Sequence, residues 1–246
     1  MVGRKQVLEN SIERLYEVFA SYTAAGFHYC DCGCTEEAEI KHLLSTPLRE
    51  LGGEALFHFN LSALYTQGDL EHYKHFLPRI FEVYSCLVKD DNLSAWDLLT
   101  KLDYAEWQTW PTTEVEAIRR FWLTNWSLAV NEPQLPNLVK EELDSYAAVL
   151  GLPNLLMEWK VTSEAKAIDE FVDFFYFNGN AILADSFKVN KVGISKPVME
   201  WIRQERIVDA VEKRYFELVE TDPVTAAEFA AVYGMLEVVS LGGASI

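Results

Sequence analysis

Apolar residues recur along this chain at intervals of three and four, and strict alternation over five or more positions is hard to find, so the pattern predicts helices throughout. The first is expected from about Lys5 to Ala24, with Leu8, Ile12, Leu15, Val18, Phe19 and Tyr22 on one face and Gly26 just beyond its end. Thr35 is placed to cap a short helix whose opening turns hold Glu36, Glu37 and Glu39. A helix from Glu54 to about Thr66 is closed by Gly68, and Asp69 is placed to cap the next, which turns Leu70, Tyr73, Leu77, Ile80, Phe81, Tyr84 and Leu87 inward. Pro78 lies within that helix and should kink it or split it near Phe76, because it lacks an N–H and restricts the residue before it.

Further along, Ser94 with Asp97 and Thr113 with Glu116 have the form of capping boxes. A helix over Leu138–Leu150 is stopped by Gly151-Leu152-Pro153, and another through Ile168–Phe177 is expected to be buried on most of its circumference, with Asn178-Gly179-Asn180 a point of interruption. Pro197 to about Glu220 reads as one long amphipathic helix, and Asp222-Pro223 as the start of the last. The expected fold is therefore all-α, an irregular multi-helix bundle or stacked antiparallel helix pairs with about nine or ten helices. It is read as a single domain over residues 1–246, with a subdomain seam near 131–137, where two prolines interrupt the pattern. No internal repeat supports a regular solenoid.

With 246 residues the chain can bury a substantial core, and a 50% hydrophobic content with only 12 glycines and 8 prolines excludes disordered and collagenous classes. The net charge of −17 is spread along the chain rather than held in a tail. It disfavours nucleic acid and anionic membrane as partners and favours a basic protein. No stretch offers the roughly 20 apolar residues of a membrane span, and the charged N-terminus lacks the apolar core of a secretory signal. With three of four cysteines crowded into Cys30-Asp31-Cys32-Gly33-Cys34, the reading is a cytoplasmic protein with reduced or metal-bound thiols.

Chemistry-bearing residues gather in the first third, which holds all five histidines and all four cysteines. His28 with Cys30, Cys32 and Cys34 is a candidate zinc-ligand set, since thiolate and imidazole are the ligands zinc prefers, although a second cysteine pair at zinc-knuckle spacing is missing. His72, His75 and Arg79, with Glu82 and Cys86, fall opposite the apolar stripe of their helix and are candidate partner-binding residues or an inter-helix polar face. Glu39-x-x-His42 has the form used by di-metal carboxylate bundles but occurs once, and reads as a solvated helix face. Asp169, Glu170 and Asp173 read as the solvent side of their helix, and most of Trp96, Trp107, Trp110, Trp122 and Trp126 as core. Nucleotide-binding loops, His-Glu-x-x-His and Gly-x-Ser-x-Gly are absent from the sequence, so no catalytic residue is nominated.

The cysteine cluster, Pro47-Leu48-Arg49-Glu50-Leu51 and the run Gly68-Asp69 to His75-Phe76-Leu77-Pro78-Arg79 resemble a group of bacterial proteins sharing a tight cysteine cluster, a Pro-Leu-x-x-Leu turn and a Gly-Asp…His-Phe-Leu-Pro-Arg signature. The resemblance covers about the first third, implies a bacterial cytosolic origin and importance for His75, Pro78 and Arg79, and carries no activity with it. Two functional expectations result. One is a protein-binding module that neutralises a basic partner, as immunity proteins do. The other is a zinc-binding protein or metal-dependent enzyme built on the Cys/His-rich third.

Overall fold

Local capping signals set where several helices begin. In the computed structural model, which describes residues 3–31, 36–88, 92–133, 135, 138–189 and 191–242, twelve α-helices are present among the described residues and the protein is all-α. The chain divides into two compact units, 1–128 and 129–246, the division falling a few residues before the proline-marked segment.

The first unit contains α1 (Arg4–Val18), α2 (Glu37–Ser45), α3 (Gly53–Ser62), α4 (Leu70–Tyr84), α5 (Ala95–Tyr104) and most of α6 (Thr112–Asn131). Asp69 caps α4 and Ser94 caps α5, each through a reciprocal capping box, as the sequence indicates. The expected Thr113–Glu116 box does not form: α6 begins at Thr112, and the Pro111 carbonyl accepts from the N–H groups of Glu114 and Val115, so Thr113 is already inside the helix. α1 ends at Val18 rather than near Ala24, and Thr35, expected to cap α2, lies outside the described residues.

Pro78 does not split α4, which runs continuously through it. Its missing N–H removes one rung, but Phe76, Leu77, Ile80 and Phe81 around it are all buried, and tertiary packing of that face outweighs the local defect. α4 packs against α1 and α3, and α3 against α2 and α5. Its aromatic contacts include Phe59–Phe76 and Phe81–Phe121, both with centroids 4.6 Å apart. Trp107, Trp110, Trp122 and Trp126 are buried, whereas Trp96 is 67% exposed.

The second unit contains the end of α6, α7 (Leu138–Leu150), α8 (Leu152–Glu158), α9 (Ala165–Leu183), α10 (Ser195–Gln204), α11 (Ile207–Leu218) and α12 (Pro223–Gly242). A two-residue antiparallel hairpin, β1 (Lys188–Val189) and β2 (Val192–Gly193), precedes α10. The single long helix expected from Pro197 to Glu220 is two helices. Arg206 adopts φ +53°, and the break serves packing: Ile202 and Ile207 are both buried, yet five residues on one straight helix would turn them about 140° apart.

The Asn178-Gly179-Asn180 segment, in turn, does not interrupt α9. A Cβ on Gly179 would lie 2.8 Å from the Phe175 ring and 3.0 Å from Met235 Sδ, so the glycine admits close packing of α9 on α12. Glu170, expected on the solvent side of α9, is buried and paired with Lys166, while its neighbour Asp169 binds the Arg214 guanidinium through both oxygens at 3.1 and 3.2 Å. No helix among the described residues is long and apolar enough to cross a membrane.

Candidate metal centre

The segment entering the cysteine loop is fastened to the turn that starts α4. Tyr29 bridges Gln67 in antiparallel fashion, the Cys30 N–H donates to Thr66 O at 2.8 Å, and the Gly68 N–H donates to His28 O at 2.8 Å. Gly68 makes the turn possible: φ is +62°, and an added Cβ would stand 2.8 Å from His72 Cβ and 3.1 Å from the Phe27 ring. Phe27 meets the His72 ring edge-on at 5.2 Å and also packs against Phe59 and Phe76, which anchors the segment to the core.

This pairing brings His28 beside the first turn of α4. One ligand-capable atom from each of His28, Asp69 and His72 lies within 4.8 Å of the other two, the only such group of three or more among the described residues. His28 and Asp69 are exposed, while His72 is only 5% exposed, so the cluster is a shallow opening with a buried back wall.

The hydrogen bonds of His72 determine what it offers. Its Nε2 stands 3.1 Å from Ala25 O, which can only accept, so Nε2 carries the proton. Nδ1 then presents a lone pair, toward which the Asp69 main-chain N–H points at 3.2 Å, completing the capping box. Asp69 Oδ1 lies 2.8 Å from the same Nδ1. Two acceptors that close repel unless a proton or a metal cation lies with them. An imidazole whose far N–H is tied to a main-chain carbonyl is also the arrangement metal-binding histidines use to fix tautomer and ring angle.

Asp69 Oδ1 accepts the N–H groups of Glu71 and His72 at 3.0 and 3.1 Å. Burial works to raise the Asp69 pKa, but those N–H donors and the neighbouring His72 and His28 rings outweigh it, and the net shift is downward. The carboxylate thus stays ionised, as a ligand must be. Oδ2 has no hydrogen-bond partner among the described residues, nor do the ring nitrogens of His28, whose ring meets that of His72 edge-on at 5.8 Å.

The sequence candidates divide. His28 lies in the cluster; Cys30 is two residues away and half-buried but contributes no atom to the three-ligand group; Cys32 and Cys34 lie outside the described residues. His72 is buried within the cluster. His75 Nδ1 meets Tyr22 O at 3.0 Å, and its pKa is lowered by burial, with the Tyr22 bond opposing and the His72 ring assisting. Arg79 donates from Nε to Leu51 O at 2.9 Å and from Nη1 to Glu82 at 2.8 Å. Three members of this polar stripe, His72, His75 and Arg79, thus each meet a main-chain carbonyl of another segment, as an inter-helix polar face would. Asp69 is the candidate ligand that the sequence did not single out, marking it only as a cap; its signal was the three-residue spacing to His72, which puts both groups on one helix turn.

No family model, no curated protein and no solved structure matches the chain.

Proposed function

We propose that the protein is a zinc-binding protein whose first unit holds the ion between His28, Asp69 and His72. The observation that carries this reading is the Nδ1–Oδ1 approach of 2.8 Å between His72 and Asp69, with His28 completing a three-atom group inside 4.8 Å. Two imidazoles and one carboxylate suit zinc, and three protein ligands leave a fourth tetrahedral position for water or another donor. Cys30, two residues from His28 on the same extended segment, is a candidate thiol for that position, and Cys32 and Cys34 follow it in sequence. A site with an open fourth position can polarise a bound water, which keeps a metal-dependent hydrolytic role within this reading.

The test is titration with Co(II) as an optical stand-in for zinc. A saturable visible absorption at one equivalent, abolished in His28→Ala and in Asp69→Asn, supports the site. A spectrum that both variants leave unchanged overturns it. The basic-partner reading rests on the charge of −17, spread without a tail, and on the lack of a catalytic motif in the sequence.

A further inference from the structure

Besides the metal cluster, the first unit contains a recess of about 380 Å³ between α2 and α3, within the range of small-ligand sites. Its floor is apolar: Ile40, Leu43 and Phe59 are each under 5% exposed, and Ala55 adds to the wall. Its rim carries Glu39 and His42 from α2, and Glu54 and His58 from α3. The 39/42 spacing of three and the 54/58 spacing of four put each pair on one helix face, so the two faces look across the same opening.

Across the mouth, His58 Nδ1 stands 3.3 Å from Glu39 Oε1, and His42 Nδ1 stands 3.3 Å from the Thr46 hydroxyl. Among the described residues neither lysine nor arginine lines the recess; of its two carboxylates Glu39 meets the His58 imidazole, and Glu54 has no ion-pair partner among the described residues. The four rim groups are not gathered as metal ligands, since among the described residues the one group of three or more that meets that geometry is His28, Asp69 and His72. Acceptor-rich walls over an apolar floor match an occupant with N–H donors at one end and hydrocarbon at the other. An anion would meet repulsion from the two carboxylates, and a neutral apolar molecule would gain nothing from them.

We propose that this recess binds a small organic cation, a primary ammonium or guanidinium on a compact apolar body. The cationic head sits between Glu39 and Glu54, and the body lies over Leu43 and Phe59. The proposal is independent of the zinc reading, because none of His28, Asp69 and His72 lines the recess.

Calorimetry and ligand-observed NMR on the full chain with 2-phenylethylamine, its carboxylate counterpart 3-phenylpropionate and the neutral 2-phenylethanol test it. The amine should bind at least about tenfold tighter than either counterpart. The double variant Glu39→Gln/Glu54→Gln changes only exposed side chains and should weaken the amine about tenfold or more while circular dichroism stays unchanged. His28→Ala should leave amine affinity as it is. Equal binding of amine and carboxylate, no binding of the amine, or wild-type affinity in the double variant overturns the proposal.

Discussion

His72 Nδ1 is shared between two groups of one residue, the Asp69 main-chain N–H at 3.2 Å and the Asp69 carboxylate at 2.8 Å. The same imidazole therefore serves the helix cap and the candidate metal site, and the two roles separate by substitution. Asp69→Asn keeps a side-chain oxygen for the cap and should cost under about 1 kcal/mol of stability while abolishing metal binding. His72→Ala removes a buried ring, its bond to Ala25 O and the second half of the box, and should cost about 2–4 kcal/mol even in chelator-treated protein. Urea unfolding with and without chelator measures both.

Lys74 and Glu114 form a buried pair at 2.6 Å, roofed by the Trp110 ring 4.2 Å from Lys74 Nζ and joined by the Tyr22 hydroxyl, which donates to Glu114 at 2.7 Å. Both side chains are below 10% exposed, so removing one partner strands the other. Lys74→Met alone should destabilise by about 3–5 kcal/mol, whereas Lys74→Met with Glu114→Leu should recover most of the loss. A double-mutant cycle read by denaturant midpoint gives the coupling.

The carboxyl of Glu170 is raised to about 7, chiefly by burial, with Lys166 opposing through its hydrogen bond and charge. Because the folded value lies above the unfolded value of 4.5, the unfolded chain releases its proton first as pH rises. Stability should then fall between about pH 4.5 and 7 and level off above, with about 1–3 kcal/mol at stake. Glu170→Gln should flatten that slope, as unfolding midpoints across pH 4–8 will show.

Gly179→Ala provides a packing test in the second unit. An alanine normally favours a helix interior, by about 1 kcal/mol over glycine. Here its methyl would press on Phe175 at 2.8 Å and Met235 at 3.0 Å, and a net loss of about 1–3 kcal/mol is expected in thermal or urea melts.

The helical class and several helix starts were legible because their causes are local: apolar spacing and the caps at Asp69 and Ser94. The break at Arg206 was not, because α10 and α11 carry a plausible common stripe in sequence and only packing selects Ile207 over a continuous face. Continuity through Pro78 and Gly179 was missed for the converse reason, local weakness being outweighed by buried neighbours. In the candidate site, His28 was legible from composition. Its meeting with Asp69 and His72 depends on the Tyr29–Gln67 bridge, a contact between segments nearly forty residues apart that no periodicity announces. Glu39 and His42 are exposed, as the solvated-face reading expects, and their place on the rim of a recess depends on Glu54 and His58 of another helix.

The most direct measurement is zinc content after equilibrium dialysis against a zinc buffer, for wild type and His28→Ala side by side. The account predicts one zinc per chain in the wild type and a loss of at least about tenfold in affinity in the variant, with the fold intact because His28 is exposed. Wild-type protein that returns metal-free from zinc-saturated buffer, or a His28→Ala variant that retains zinc with undiminished affinity, would contradict it.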